Sequence, residues 1–395
     1  MKKRIAVTIL ACLLVALISS APLYAQQRDR GGSDILGIIG YMDGVVDVFR
    51  DGEYIPWQQV AIGLKMEKYD LMETGAGSYA EVELDSPISS GTVLKVDENT
   101  AFYFDFDQSG GKKQSNVNLL TGSLGMKVQK LAGTGEVAVS TESAVMGVRG
   151  TEFRVTTAPD GSILVSCVEG EVSCRNKRGD QFSAKPGQAV EQEQDEQLRA
   201  LSVDAADIET FEKQWLDHKI EAFLAGSLGA LKRYVPTYND YKKRFNDAYA
   251  DLMEYNEVFQ RWEQYSAGEG PDMGSAVKDK VAVSTAIFRM RSIIFLFEHV
   301  FYRIWGITDL YDTGRVEKGM LWSGYSTEDF FRDFKREQKN LSWKMAQVRH
   351  VFKLYSKMSW DISPEGDMSP GGDSLMDDMF SGDNPLDNDD FFDDF

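Results

Sequence analysis

Residues 145–155 read Val-Met-Gly-Val-Arg-Gly-Thr-Glu-Phe-Arg-Val, and this stretch decides the fold of the first half of the chain. Two short apolar runs meet at a glycine, and beyond it Thr151, Phe153 and Val155 alternate with charged residues. Alternation with a period of two is typical of a strand with one buried face. The stretch therefore predicts two strands joined by a tight corner at Arg149.

Blocks on both sides of this stretch follow one pattern. The signature block spans residues 141–153, a Tyr-Asp-Leu-Met-Glu-Thr-Gly block precedes it at residues 69–75, and two glycine-containing blocks follow at residues 168–172 and 185–188. Their order and separations resemble those of FecR domains. The resemblance covers residues 35–203, and it implies an all-β domain.

Two positions depart from the family's pattern, because Ser143 stands where the family often has proline and Tyr69 replaces a glycine. We interpret the signature residues as structural, and they are Gly147, Arg149, Gly150, Thr151 and Phe153. A fold hosts many functions, so the resemblance predicts an architecture rather than an activity.

Arg149 has two interpretations. A guanidinium at a β corner could clamp a carboxylate ligand through two parallel hydrogen bonds. Alternatively, Arg149 pairs with Glu152 or caps backbone carbonyls at a turn where Gly150 permits unusual dihedral angles. The structural role is favoured.

Elsewhere the first half alternates strand-like segments with glycines. A glycine followed by apolar residues two and four positions later recurs at Gly44, Gly122 and Gly170. The unequal intervals exclude a fixed-period solenoid. The pattern predicts similar kinked strands wrapped around one core, as in a jelly roll or double-stranded β-helix.

Residues 204–360 carry apolar residues at helical spacing. We expect four long helices in an antiparallel bundle, with Pro236 ending the first helix and Ser326 and Asp329 capping the last.

The most apolar of these helices spans residues 275–311. Charged residues such as Arg291 and Glu298 interrupt its apolar run, and such charges are costly in lipid. A helix buried within the bundle is therefore favoured over a membrane span.

The N-terminus predicts export. Residues 1–25 combine a basic start, a short apolar core and a small residue at the end, which is typical of a secretory signal peptide. An uncleaved anchor is the alternative, although the apolar run is short for a spanning helix. We expect a mature protein that begins near Gln26, has no transmembrane span and lies in the periplasm or outer envelope.

The predicted fold class is multi-domain, β then α. The amino-acid composition changes at residues 191–197, which are acidic and rich in glutamine. This change predicts a domain boundary. The predicted segments are a signal peptide (1–25), a flexible lead (26–34), a FecR-like β-domain (35–190), an acidic linker with the last β segment (191–203), a helical bundle (204–360) and a disordered acidic tail (361–395).

Two cysteines, Cys167 and Cys174, follow the signal segment. In an oxidising compartment they are a candidate disulfide if they fall on neighbouring strands. The alternative is two buried thiols that pack as small hydrophobic residues.

The acidic tail lacks lysine and arginine and is rich in Asp, Pro, Gly and Ser, a composition typical of disorder. Acid-flanked apolar residues make it a candidate docking peptide for a basic, apolar groove, or else a solubilising tail. The candidate docking residues are Met379, Phe380, Phe391, Phe392 and Phe395.

The formal net charge of −19 argues against nucleic-acid binding, and a partner selected by charge would be basic. No nucleophile elbow, phosphate-binding loop or metal-ligand spacing occurs in the sequence, so we expect no enzymatic activity, cofactor or metal. His218, His299 and His350 are expected as packed or surface residues of helices rather than ligands.

The leading hypothesis is a non-enzymatic envelope protein that presents protein-interaction surfaces outside the cytoplasm. One alternative is a ligand-sensing component of envelope signalling, the class of function known for the family's namesakes. A glycan- or peptidoglycan-binding envelope protein is the other. The sequence leaves the partner's identity and the oligomeric state open.

Overall fold

The first half of the chain forms two β-sheets. Among the residues that the computed structural model describes (35–84, 91–107, 114–128, 136–148, 150–193, 196–204, 206–266 and 273–360), these are two nine-stranded sheets, sheet A and sheet B. In chain order the strands are β1 (Ile35–Asp43), β2 (Val46–Arg50), β3 (Glu53–Ile55), β4 (Lys65–Glu67), β5 (Leu71–Thr74), β6 (Tyr79–Leu84), β7 (Val93–Val96), β8 (Ala101–Asp107), β9 (Gln114–Thr121), β10 (Ser123–Lys127), β11 (Glu136–Ser140), β12 (Ala144–Val148), β13 (Glu152–Thr157), β14 (Ile163–Glu169), β15 (Val172–Asn176), β16 (Gln181–Ala184), β17 (Gln188–Gln192) and β18 (Arg199–Ser202). The predicted order of a β half followed by a helical half is confirmed.

Within each sheet, the order of the strands largely follows their order in the chain. Sheet A has the order β18-β17-β14-β13-β10-β7-β6-β1-β4, and sheet B has the order β16-β15-β12-β11-β9-β8-β5-β2-β3. Apart from the edge strands β3 and β4, strand numbers rise steadily across each sheet, so the chain winds between the sheets as it advances. Among the described pairs, β9 and β11 are parallel because the chain leaves sheet B for β10 and then returns.

Recurrent glycines lie where the chain crosses between the sheets. Gly122, between β9 and β10, has a φ of 93°, and a Cβ there would lie 2.3 Å from Oγ1 of Thr100. Gly170, between β14 and β15, has a φ of 85°, and a Cβ there would lie 2.8 Å from the carbonyl oxygen of Gly150. Both the left-handed backbone and the close approach disfavour any side chain. The glycine pattern in the sequence therefore marks crossings rather than kinks within a strand.

Alternate side chains of the two sheets form the core between them. Phe102, Phe153 and Val165 are all buried in this core, and their strands show the predicted period of two. Burial of one such side chain contributes about 1.5–3 kcal/mol, so this core is the main source of stability of the sandwich.

The candidate disulfide between Cys167 and Cys174 is not formed in this structure. Cys167 lies in β14 of sheet A and Cys174 lies in β15 of sheet B, so the intervening Gly170 makes a crossing instead of a hairpin. Both cysteines are free and buried. Burial raises the pKa of the Cys167 thiol to about 11 and that of the Cys174 thiol to about 12. They behave as small core residues, which was the alternative interpretation.

The second half is helical, and the described residues form five helices rather than the four expected. They are α1 (Ile208–Ala225), α2 (Ser227–Met253), α3 (Asn256–Ser266), α4 (Met273–Asp312) and α5 (Thr327–Trp360), with a small hairpin of β19 (Met320–Trp322) and β20 (Tyr325–Ser326) before α5. The described residues include no helix that is long and apolar enough to cross a membrane.

Pro236 does not end a helix, and that prediction was wrong. The break lies ten residues earlier at Gly226, and Pro236 stands inside α2. Its neighbours Val235 and Tyr238 are fully buried, so packing maintains the helix despite the missing N–H donor. The predicted cap of α5 is confirmed, because Asp329 accepts a hydrogen bond of 3.0 Å from the backbone N–H of Ser326.

The core of helices α2 to α5 is continuous with one face of sheet B. Buried residues of the helices form one cluster with outward-facing residues of that sheet, among them Phe49, Leu71 and Tyr103. Within this cluster Arg349 of α5 donates to Glu298 of α4, and both side chains are buried. The helical layer therefore covers sheet B and shares its hydrophobic core.

Helix α1 packs separately, on the outer face of sheet A. Trp215 joins a small apolar cluster there, and its indole N–H donates to Glu191 at 2.7 Å. Glu191 belongs to β17 and is buried. The first residues of the acidic segment are therefore part of a strand of sheet A. The predicted signal peptide (1–25), flexible lead (26–34) and acidic tail (361–395) lie outside the described residues.

Candidate functional site

A cleft of about 800 Å³ lies between one end of the sandwich and two helices. Its floor consists of the loops and crossings at that end, including Asp97, Gly122 and Thr157. One wall is α1 and the other is the second half of α4. Volumes of 300–1,000 Å³ are typical of ligand sites, and a position between sheet and helix layers is a common one.

Arg154 organises the side of the cleft nearest to α1. This residue of β13 donates to Asp97, and its Nε lies 3.2 Å from Oε2 of Glu212 in α1. The hydroxyl of Ser166 in β14 donates to the same Glu212. Burial raises the pKa of both Asp97 and Glu212, although Arg154 opposes the shift in each. The network fixes α1 against sheet A and places carboxylates along the cleft.

A second network lies on the α4 side. Arg303 of α4 donates to Glu142, which precedes β12, and its guanidinium lies 5.3 Å from the ring centre of Tyr234. Burial alone would raise the pKa of Glu142, but the positive charges of Arg303 and Lys177 outweigh burial and lower it. Glu142 is therefore ionised at neutral pH.

His299 adds a neutral polar group to this wall. Its Nδ1 lies 2.8 Å from the carbonyl oxygen of Phe295, so Nδ1 carries the proton and donates to that oxygen. Burial lowers the pKa of His299 to about 4, and the ring is uncharged at neutral pH. Its Nε2 is then an acceptor, and that atom is buried without a hydrogen-bond partner among the described residues.

Acidic side chains outnumber basic ones around the cleft. The basic residues that line it are Arg154, Lys213 and Arg303. The acidic ones are Asp97, Glu98, Glu142, Glu209, Glu212, Asp217 and Asp309. Because Arg154 and Arg303 are held by inner carboxylates, the outer carboxylates at Glu209 and Asp217 present a negative potential to the solvent. The chemistry of the cleft fits a cationic ligand.

The signature residues do not line this cleft. The end of β12 and the start of β13, where Gly147 and Thr151 lie, are at the opposite end of the sandwich. Thr151 lies against the crossing glycine, and its Cγ2 would be 2.7 Å from a Cβ at Gly170. The two sequence blocks that suggested the family thus meet at one corner, while Phe153 lies in the core. Arg149 falls outside the described residues.

The three histidines occupy different environments. His218 is exposed on α1, His299 is buried in α4, and His350 of α5 lies 3.0 Å from Glu263 and 3.3 Å from Asp51. Burial opposes the charge on His350, but the two carboxylates outweigh it and raise its pKa. No group of three or more potential metal ligands occurs in the described part of the chain.

Residues 70–173, from the last residue before β5 into β15, match the family described as FecR protein. The chain contains a FecR domain. The match starts and ends within the two sheets, so the strands outside it continue the same winding at both edges.

Two solved structures of a provisionally assigned anti-sigma factor from Parabacteroides distasonis ATCC 8503 are similar to the chain. The first is 15% identical with a TM-score of 0.30, and it covers 36% of this chain and 63% of that one. The second is 16% identical with a TM-score of 0.30, and it covers 35% and 62%. The chain thus spans less than two thirds of these structures. No curated protein matches it.

Sequence reasoning missed the residues that build the cleft. Arg154 was read as an outward-facing charge of the signature strand, and Glu142 only as part of the signature block. The one available signal was the outward alternation of β13, which placed Arg154 on the surface of the sheet but could not show that α1 would cover it.

Proposed function

We propose that this protein is a non-enzymatic binding protein of the cell envelope, in which the cleft between the FecR sandwich and helices α1 and α4 receives a basic segment of a partner protein. The observation that carries this proposal is the excess of carboxylates around a cleft of about 800 Å³. The signal-like residues 1–25 support a location outside the cytoplasm.

The arrangement favours binding over catalysis. The two carboxyls on the α1 side, Asp97 and Glu212, are both held by Arg154, which leaves neither available as a mobile proton carrier. The carboxylates further out, such as Glu209 and Asp217, are exposed and suit transient ion pairs with lysine or arginine side chains of a partner. Such pairs raise the association rate more than the affinity, and they weaken as salt increases.

A charge-reversal experiment tests the proposal. Chemical cross-linking in the native envelope of a strain that produces Glu209→Lys/Asp217→Lys is compared with the unaltered chain and with Glu221→Lys. Glu221 lies on the same helix outside the cleft, and its side chain is 69% exposed beside Arg315, so the control alters charge with little effect on stability. The expected result is a partner protein captured by the unaltered chain and the control but lost from the double variant. Equal capture by all three would overturn the assignment of the cleft.

A second candidate is ligand sensing in envelope signalling, and the FecR match is the observation that favours it. In that case a small cation would fill the cleft and donate hydrogen bonds to Nε2 of His299 and to the carboxylate of Glu142. Thermal unfolding in the presence of diamines and basic amino acids separates the two candidates. A rise in Tm that is absent from Glu142→Gln indicates a small ligand, whereas an unchanged Tm together with protein capture supports the first proposal.

A further inference from the structure

Helix α4 presents an exposed apolar stripe on its first half. Val277, Val281 and Phe288 are 43%, 70% and 49% exposed, and Thr285 lies between them. Their spacings of four and seven residues place them on one face of the helix. The opposite face, which carries Val283, is fully buried against the other helices. The stripe is thus a second apolar face, distinct from the one that packs into the core.

The stripe lies in a basic part of an acidic protein. Residues 273–292 contain four basic residues and one acidic residue, whereas the whole chain has a formal net charge of −19. Lys278 and Arg289 are exposed and flank the stripe, and Arg289 also forms an exposed ion pair with Asp251 of α2. An apolar strip edged with positive charge matches a ligand that combines apolar and acidic residues.

Such a segment begins beside the stripe. Helix α5 runs antiparallel to α4, and near its end the ring of Tyr355 lies 4.7 Å from Nζ of Lys280. The chain therefore leaves α5 at Trp360 close to the first turns of α4. The 35 residues that follow contain twelve acidic residues and no basic ones, with apolar pairs set among the acids.

We propose that residues 361–395 dock in cis on this stripe, with apolar residues of the tail covering Val281 and Phe288 and its aspartates facing Lys278 and Arg289. The apolar residues available are Leu375, Met376, Met379, Phe380, Phe391 and Phe392. From Val277 to Phe288 is eleven residues of helix, or about 17 Å. The fifteen residue steps from Trp360 to Leu375 span up to about 50 Å when extended, so the tail reaches the whole stripe.

Because the tail is covalently connected to α5, a weak contact is sufficient to keep it on the stripe. A connection of this length holds the tail at an effective concentration of about 1 mM, so a contact with a Kd of about 100 µM would be roughly nine-tenths occupied. The charge component of this contact is exposed and weakens with salt. This docking is independent of the cleft on the other half of α4.

Site-specific photo-cross-linking in the full chain tests the docking. A benzophenone amino acid replaces Thr285, which is exposed on the stripe without being one of its apolar residues, and a second protein carries it at Lys243. Lys243 is on α2 with its side chain 76% exposed, and it serves as the control position. After illumination, digestion and mass spectrometry identify the peptides joined to each position.

The expected product joins Thr285 to residues 375–395 within one chain, at a yield that does not change with protein concentration. In a chain that also carries Phe380→Ser, Phe391→Ser and Phe392→Ser, the yield should fall about tenfold or more, because these rings supply most of the tail's apolar surface for the stripe. Val281→Ser should lower it as well. A yield at Thr285 no higher than at Lys243 would refute docking, and products only between chains, rising with concentration, would replace the cis arrangement with a dimer.

Discussion

Replacement of Arg349 by methionine should show how strongly the helical layer depends on its buried ion pair. The side chains of Arg349 and Glu298 are only 3% and 2% exposed, and Arg349 is the cation that hydrogen-bonds the carboxylate. The substitution leaves a carboxylate buried without its partner. Loss of one member of such a pair typically destabilises a protein by about 3–5 kcal/mol.

The loss should depend on pH in a defined direction. Burial raises the pKa of Glu298 from its ordinary 4.5 to about 7, even with Arg349 beside it. Protonated Glu298 therefore makes its full contribution to the free energy of unfolding below pH 4.5, and this contribution is lost as the pH rises through 7. Without Arg349 the folded pKa rises further, because no cation then offsets the burial of the carboxyl. Between pH 7 and 9 the variant continues to lose about 1.4 kcal/mol per pH unit while the unaltered protein does not. The variant's penalty should thus be about 2–3 kcal/mol larger at pH 9 than at pH 7.

Urea unfolding at pH 7 and pH 9, monitored by tryptophan fluorescence, measures the difference. The matched control is the double variant Glu298→Gln/Arg349→Met, which has no ionisable group at this place. It should regain most of the stability at pH 9 and lose the pH dependence. An Arg349→Met penalty that is equal at both pH values, or a double variant no more stable than the single one at pH 9, would refute the reasoning.

Three further predictions follow from the same structure. Gly170→Ala should lower the free energy of unfolding by about 2–3 kcal/mol, because both the positive φ and the contact at 2.8 Å oppose a Cβ, whereas Gly179→Ala, with a φ of 84° but open space, should cost only about 1 kcal/mol. Tyr302→Phe removes a 2.6 Å hydrogen bond to Glu73, whose pKa burial raises to about 7, so urea unfolding should show a loss of about 1–3 kcal/mol that is larger at pH 8 than at pH 6. The two buried thiols should not react with a thiol reagent at pH 8 until urea unfolds the chain, and immediate reaction would contradict their burial and raised pKa values.

Local patterns predicted the elements well because they depend on neighbouring residues. The period-two alternation around Phe153 and the cap at Ser326 are both confirmed. The two-sheet core follows from the same alternation. The winding order could not be predicted, since it depends on which crossings join strands of different sheets, and a glycine such as Gly170 looks the same in a hairpin as in a crossing.

The helical layer and the cleft could not be predicted from the sequence, for another reason. Phe49 and Tyr103 face outward from sheet B, and their burial depends on helices that come more than a hundred residues later. Arg154 and Glu142 acquire their roles only when α1 and α4 cover them. Contacts between distant segments leave no periodic signal in either segment.

In both sheets the order of the strands largely follows their order in the chain, so strands can be added at one edge of the sandwich. Strands added beyond β18, or removed from that edge, would leave the pairing of the inner strands unchanged, because among the described strands no later one lies between two earlier ones. Relatives of this protein should therefore differ in the number of strands at this edge and keep the same corner at Thr151 and Gly170.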